Sequence, residues 1–333
     1  MSSSAFADNA LKHKLAQVEL ATWASVGRVA ALVILCIAIG SFSQAFFTER
    51  NISLTLTNAC VLIILGVGET FTIITCGPDG PDLSVGSIMT ITAVVAALMA
   101  KAGIFFGFAF GASLVFGAAL GLVNGLLIAR GGLPPFIATY GLQWAVFGFA
   151  YVILKGYVVY DFGADFRFIG NASLFGVLPM PVVVMVAVVV AGYVLLRKTT
   201  LGRRIYAVGA NPDAAYMSGI DVSKTILIAF VVSGFLAALA GLVFVARTNA
   251  VQADIGAQYL LTAIAVVFMG GSGVGGQGGV FGTVVGALIM TVVQNAMDLY
   301  GVPGVWHNAI IGALIIVTVL IELQLKRKIM KTN

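Results

Sequence analysis

Apolar runs of membrane-spanning length recur about ten times along these 333 residues. A helix needs about 20 apolar residues to cross the hydrocarbon core of a bilayer. The runs fall near 28–47, 54–76, 83–100, 104–129, 134–154, 179–197, 224–246, 258–271, 279–298 and 305–323. The eighth is short and reads as a broken or tilted helix. With 60% of residues hydrophobic and 9% charged, too little polar surface remains to clothe a soluble domain of this size. The expected fold class is therefore an all-α polytopic membrane protein with eight to ten transmembrane helices. Forty glycines suit that class, because small residues let membrane helices approach closely. The net charge of +5 is no nucleic-acid signal, since the basic residues punctuate helix ends and form no stripe with interleaved aromatics.

The polar residues divide the chain. Residues 1–27 read as a polar segment too long for the start of a cleavable signal, 28–323 as one transmembrane domain, and 324–333 as a basic tail. Basic residues mark the cytoplasmic side of membrane spans. With both termini inside, that side collects Lys12, Lys14, Arg28, Arg130, Arg197, Lys198, Arg203, Arg204, Lys224, Lys326, Arg327, Lys328 and Lys331, thirteen of the eighteen Lys and Arg. The outer side then carries one substantial loop, about 155–178, with Asp161, Asp165 and Arg167. Cys36, Cys60 and Cys76 lie in or beside apolar segments without metal-type spacing, and His13 and His307 are far apart, so no metal site is expected.

Residues 197–224 form a polar island between two apolar segments. Gly202 and Gly209 frame what reads as an extended run. Asn211 is placed to N-cap a short helix with Pro212 at its first position. That helix is predicted over 212–218, stopping at Gly219. A short capped helix on the cytoplasmic face of a membrane protein suits docking of a soluble partner, and the loop 198–223 is the expected coupling element.

A second stretch runs from Gly68 to Ser87. Gly and Pro break a helix here, with Thr70, Thr72 and Thr75 leading into the break. Backbone released inside a membrane must be satisfied by protein or by a water-filled cavity. Glu69, Asp79 and Asp82 are the acids of this apolar zone, and intramembrane acids default to a functional reading. The alternative for Asp79 and Asp82 is a tight connection in which Asp82 caps the next helix through the Ser84 or Val85 amide. For Glu69 it is an interhelical hydrogen bond. Together with Ser84, Asn124, Thr139, Gln143, Gln294 and Asn295, these residues are candidates for a polar solute pathway. Trp144 beside Gln143 reads as an interfacial aromatic or as a stacking surface. Phe110-Gly111 and Phe281-Gly282 are 171 residues apart, as are Asn124 and Asn295, and Gly141 and Gly312. The matching spans are five apart, and an odd step reverses orientation, the pattern of an inverted repeat in transport proteins. On that pattern Asn124 and Asn295 should approach each other across a pseudo-twofold axis near the membrane centre.

The chain resembles the ribose-type permease subunits of ABC importers, related to permeases for branched-chain amino acids. The likeness lies in Thr75-Cys-Gly-Pro-Asp79 and Leu83-Ser-Val-Gly-Ser87, where the family shows Thr-Gly-Gly-Ile-Asp-Leu-Ser-Val-Gly-Ser. Here Cys76 and Pro78 depart from the pattern and a Gly-Pro-Asp unit is doubled, so either Asp79 or Asp82 takes the family's aspartate. Further matches are Asn124-Gly125, Pro135 to Thr139, Thr200 to Arg203, Ala207 to Asn211, Ala214-Ala215, Ser218 to Ile220, and the glycines of 270–279. The resemblance implies an inverted-repeat permease of the type II importer kind in a bacterial inner membrane. It implies a second permease subunit, identical or not, forming the pathway with this one. It also implies a cytoplasmic ATPase, which would bind the ATP and Mg, and a periplasmic or lipid-anchored binding protein. Arg203, Asn211, Pro212, Asp213, Ala214, Ala215, Ser218 and Gly219 become the expected ATPase contacts, although Asp213 stands where the family's docking loop starts with Glu. The sequence contains no Gly-x-x-x-x-Gly-Lys-Ser/Thr loop, so a separate ATPase is needed. The glycines of 270–279 are read as a close backbone crossing or a hinge.

The candidate pathway groups are mostly neutral and polar, which suits a solute that needs hydrogen bonds and no counter-ion. A monosaccharide or sugar-like polyol is the expected cargo, with branched-chain amino acids or nucleosides as the alternative. An ion-coupled secondary transporter would need a cluster of deep acids or a His relay, and only Glu69 sits deep. A membrane enzyme would need a His, Asp and Glu set that the spacing does not supply.

Overall fold

The computed structural model describes residues 26–163, 168, 170–176, 178–273 and 276–331, with side chains excepted at 319 and 321–331. Lys12, Lys14, Asp165 and Arg167 lie outside the described residues, as do the side chains of the basic tail.

Each expected span falls on a helix. In chain order these are α1 (Val26–Phe42), α2 (Glu49–Cys76), α3 (Val85–Lys101), α4 (Phe106–Ala129), α5 (Pro135–Leu154) and α6 (Met180–Lys198). Two short helices follow, α7 (Thr200–Ala210) and α8 (Pro212–Met217). The chain continues with α9 (Val222–Thr248), α10 (Ala257–Met269), α11 (Val280–Leu299) and α12 (Gly304–Lys331). Six are long and apolar enough to cross a membrane: α2, α4, α5, α6, α9 and α11. Val26–Phe42, Val85–Lys101, Ala257–Met269 and the Gly304–Thr318 part of α12 are shorter apolar helices. This is a polytopic, mostly helical membrane protein. The eighth run is a 13-residue helix, α10, and α12 carries on through the tail without a break.

The core forms around α2, whose largely apolar stretch from Ala59 to Thr75 is buried throughout. Such a helix belongs in the middle of a protein. It packs against α6, α7, α9, α10 and α11. The most extensive helix–helix contact is that of α4 with α9. A Cβ on Gly121 would meet the Phe230 carbonyl, and one on Gly117 or Gly234 would meet the other helix's backbone. Glycine at these positions lets the two backbones touch.

The helix ends gather into two poles. At one, Ser223 Oγ donates to the Ala129 carbonyl, Tyr206 Oη donates to the Gly278 carbonyl, and Arg28 donates to the Gly270 carbonyl. This pole also holds Arg130, Arg197, Lys198, Arg203, Arg204 and Lys224. At the other pole a two-residue strand β1 (Val159–Tyr160) pairs antiparallel with β4 (Ala250–Val251). Asn249, in the left-handed conformation at φ 52°, accepts the Phe162 N–H on its Oδ1 at 3.1 Å. A second small ladder joins β2 (Ser173–Leu174) to β3 (Leu178–Pro179).

The 197–224 island differs from the sequence expectation in one respect. The segment framed by Gly202 and Gly209 is helical, not extended. Thr199 Oγ1 accepts the Gly202 N–H at 3.2 Å and so caps α7. The two glycines serve close approach: a Cβ on Gly202 would meet the Leu196 carbonyl, and one on Gly209 the Ile74 carbonyl of α2. The next helix forms as its sequence indicates. Asn211 Oδ1 accepts the Ala214 N–H at 3.0 Å, Pro212 is the first residue, and Gly219 follows at φ 80°. The helix ends at Met217, one residue before the predicted Ser218.

Candidate functional site

The break after α2 builds a buried polar cluster. Gly77–Asp79 form a single 3-10 turn, and the chain then turns back to start α3 at Val85. Glu69, on α2 thirteen residues before Asp82, faces this turn. Its Oε2 accepts the Asp82 N–H at 3.0 Å and the Thr72 hydroxyl at 3.3 Å. The side chain thus satisfies backbone that the broken helix cannot.

Asp82 is the centre of the cluster and is fully buried. Its Oδ1 accepts the Ser84 N–H at 3.0 Å, the Ser84 hydroxyl at 2.6 Å and the Asn124 amide at 3.3 Å. Its Oδ2 accepts the Ser233 hydroxyl at 2.9 Å. Asn124 Nδ2 also donates to Ser84 Oγ at 2.7 Å. One carboxylate therefore ties together the re-entrant turn, the start of α3, and helices α4 and α9. The bond from the Ser84 amide to Asp82 forms, but it lies in the turn ahead of α3, whose N-cap is Ser84 without a side-chain capping bond, so Asp82 does not cap the helix as expected. Within the doubled Gly-Pro-Asp unit Asp79 is exposed and Asp82 is buried.

The structure brings Glu69, Thr72, Asp82, Ser84 and Asn124 into one network, and leaves the other candidates elsewhere. Thr70 is turned toward α11, where its hydroxyl shares a hydrogen bond of 2.6 Å with Thr283. Thr139 bonds back to the Pro135 carbonyl of its own helix at 2.8 Å. Gln143 is buried on α5, its Oε1 without a partner, while the neighbouring Trp144 points outward and packs edge-on against Tyr140. Gln294 is half-buried on α11. Asn295 exchanges two hydrogen bonds with Asn51, at 3.0 and 2.8 Å.

The expected approach of Asn124 to Asn295 is therefore corrected. Asn124 bonds Asp82, which bonds Glu69, whereas Asn295 bonds Asn51. Glu69 and Asn51 lie eighteen residues apart on α2, which is ~27 Å along a helix. The two asparagines sit toward opposite poles, each with its own partner. Sequence reasoning missed Ser233, Thr283 and Asn51. Each is a polar residue within an apolar helix, and that is the only signal they give.

The basic pole presents a second candidate surface. On α8, Asp213, Ala214 and Ser218 are exposed with Asn211, Pro212 and Gly219, and Arg203 is exposed on α7. Ala215 is buried against its own chain, at 4% exposure, while Tyr216 and Met217 stand out at 70% and 84%. These two large side chains are the apolar part of the surface, which the Ala-Ala pair had suggested would be the contact. Beneath them Tyr206 Oη donates to the Gly278 carbonyl at 2.9 Å, and Arg197 donates to the same carbonyl at 3.3 Å. The Arg197 guanidinium also lies 5.3 Å from the Tyr206 ring centre. Burial pushes the Tyr206 phenol above its ordinary range, with Arg197 pulling the other way. The hydroxyl is thus held as a donor at neutral pH. The glycine-rich connection between α10 and α11 is pinned from this side and closed on itself by the Gly279 N–H bond to Ser272 Oγ at 3.0 Å.

Among the described residues no group of three His, Cys, Asp or Glu side chains could hold a metal. An apolar groove runs along the outward face of α4, lined by Gly107, Gly111, Val115 and Ala119 among others.

A bundle of span-length apolar helices with a broken central helix and a polar, basic face defines a membrane transport protein. Residues 51–319 match the family described as the branched-chain amino acid transport system / permease component, and the chain belongs to that family. It is 36% identical over 301 residues to the ribose import permease protein RbsC of Escherichia coli K12, covering 88% of this chain and 91% of that one. To the D-allose transport system permease protein AlsC of the same organism it is 36% identical over 304 residues, with 90% and 92% covered. To the fructose import permease protein FruG of Bifidobacterium longum it is 36% identical over 273 residues, with 78% and 79% covered. No solved structure matches the chain.

Proposed function

We propose that this chain is the permease subunit of an ABC importer for a monosaccharide or a sugar-like polyol. The observation that carries the reading is the agreement of its relatives, permeases named for ribose, D-allose and fructose, at 36% identity over most of the chain. The family description names branched-chain amino acids, but the curated relatives favour the sugar.

The remaining parts of the reading follow from charge and packing. The pole that holds Arg130, Arg197, Lys198, Arg203, Arg204 and Lys224 is the cytoplasmic one, by the positive-inside rule, so both termini are cytoplasmic in a bacterial inner membrane. All ten apolar helices cross, in two inverted halves. An ATPase docks on α8 and its flanks. Of the candidate pathway residues, Glu69, Thr70, Thr72, Asp82, Ser84, Asn124 and Thr139 are buried within this copy, which suits a solute route shared between two permease copies. A binding protein delivers the sugar to the opposite pole.

Uptake of labelled pentoses, hexoses and polyols by a strain lacking this chain, with and without the chain restored, tests the reading. Restored uptake of one of these sugars supports it. Unchanged sugar uptake together with a restored branched-chain amino acid overturns it.

A further inference from the structure

The buried cluster around Asp82 has a deficit of hydrogens. Every donor in it is used. The Ser84 and Ser233 hydroxyls, the Asp82 and Ser84 backbone N–H groups and the Asn124 amide hydrogens point at Glu69 Oε2, Asp82 or Ser84 Oγ, and the Thr72 hydroxyl is shared between the Glu69 carbonyl at 3.0 Å and Glu69 Oε2 at 3.3 Å. Two buried oxygens are left without any partner, Glu69 Oε1 and Asn124 Oδ1. Both are acceptors, and both belong to fully buried side chains bonded directly to Asp82. Buried polar atoms are rarely left unpaired, and each exception asks for an explanation.

The two carboxyl groups are also treated differently by their surroundings. Asp82 receives four bonds spread over both oxygens, the arrangement that holds a carboxylate. Glu69 receives two bonds on one oxygen and none on the other. A neutral carboxylic acid keeps one bare oxygen for its own O–H, which then donates. Neither group accepts a bond from Lys, Arg or His. Among the ionisable residues of the packed elements, Cys76 lies two turns on along α2 and Asp79 is exposed in the 3-10 turn. Arg130, Arg197, Lys198, Arg203, Arg204, Tyr206 and Lys224 sit at the basic pole, Glu49, Arg50 and Cys60 lie in the first half of α2, Tyr193 on α6, Arg247 at the far end of α9, Tyr259 near the start of α10, and Lys101 and Asp298 at the far ends of α3 and α11. None bonds the cluster. Two like charges in contact inside a protein, without a cation, do not both persist.

We propose that the cluster is a proton-binding site: Glu69 holds a resident proton on Oε1, the oxygen left unpaired, while its Oε2 binds the Asp82 backbone N–H. The proton comes from water, and nothing else changes hands. Its presence makes the pair a singly charged unit, which lets α2 and the re-entrant turn stay joined inside the membrane.

Infrared spectroscopy on the intact permease complex in lipid nanodiscs tests this at pH 7. Wild-type protein carrying carboxyl-13C glutamate should show an un-ionised carboxylic C=O band that shifts with the label and with deuterium. Glu69→Gln should remove that band while keeping complex yield and thermal midpoint near wild type, because an amide supplies the missing N–H. The label reads the wild-type chain directly, so the test stands even where the variant fails to assemble. A carboxylate band alone overturns the proposal. That is the outcome if a water bridges the two oxygens, and a carboxylate band that changes on adding sodium would give the place to a metal cation instead.

Discussion

Ser233 donates to Asp82 Oδ2 from the middle of a helix that otherwise offers only apolar side chains there. Replacing it with alanine removes one of four bonds to a buried carboxyl group. A hydrogen bond to such an acceptor contributes roughly 1–3 kcal/mol, so Ser233→Ala should lower the thermal midpoint of the purified complex and reduce uptake. Asn124→Leu should do more, since it strips bonds from both Asp82 and Ser84. Asp79→Asn is the matched control, because that side chain is exposed, and uptake in a whole-cell assay should stay at the wild-type level. Equal damage from Asp79→Asn and Ser233→Ala would refute the assignment of Asp82 as the buried member of the pair. The sequence made Glu69 legible as a deep acid and the Ser84 amide as a partner of Asp82. It could not rank Asp79 against Asp82, because the doubled Gly-Pro-Asp unit puts both in the same local pattern. Ser233 was invisible for a different reason: its partner is 151 residues away along the chain, and no local rule reaches that far.

At the scale of elements, α7 and α8 were read from one strong signal and one misread one. Asn-Pro before a short polar run specified the α8 cap. Gly202 and Gly209 read as the frame of an extended run, whereas they lie where the helix presses on the carbonyls of Leu196 and Ile74. That contact joins α7, and through it the proposed docking surface, to the C-terminal end of α2. The Tyr206 bond to Gly278 joins it to the connection between α10 and α11. Loss of one such bond is worth about 1 kcal/mol, a factor of about five in a two-state balance. Tyr206→Phe should therefore keep assembly and basal ATP hydrolysis but weaken the stimulation of hydrolysis by sugar-loaded binding protein, measured in nanodiscs. Full stimulation in that variant would remove Tyr206 from the coupling route. Met217→Arg probes the docking face itself and should release the ATPase on affinity purification while leaving the permease inserted. Ala215 is a poor probe for the same purpose, because it is buried in its own chain and a large replacement would unseat α8.

At the scale of the whole molecule, apolar run lengths placed every helix of span length. They could not show which partners the polar residues scattered among them would find. Thr139 bonds its own helix, Asn295 bonds Asn51, and Asp82 gathers four donors. On the function proposed above, such a permease would be one wall of a route whose other wall is a second copy. If the second copy is identical and both must engage the ATPase, co-expression of wild type with an equal amount of Met217→Arg should leave about a quarter of the uptake, the share of pairs with two intact members. Half of the uptake or more would argue that one competent copy suffices.

The glycine seam between α4 and α9 also has a history within the life of each molecule. Gly121 leaves the ribosome 113 residues before Gly234. At the usual pace of synthesis, about 5–20 residues per second, roughly five to twenty seconds separate the two. For that interval α4 waits in the bilayer with the groove meant for α9 open to lipid or to any other helix that fits small residues. The same closeness that makes the finished pair tight makes the half-made chain open to a wrong partner, and this is the moment when an insertion chaperone that shields α4 would matter most.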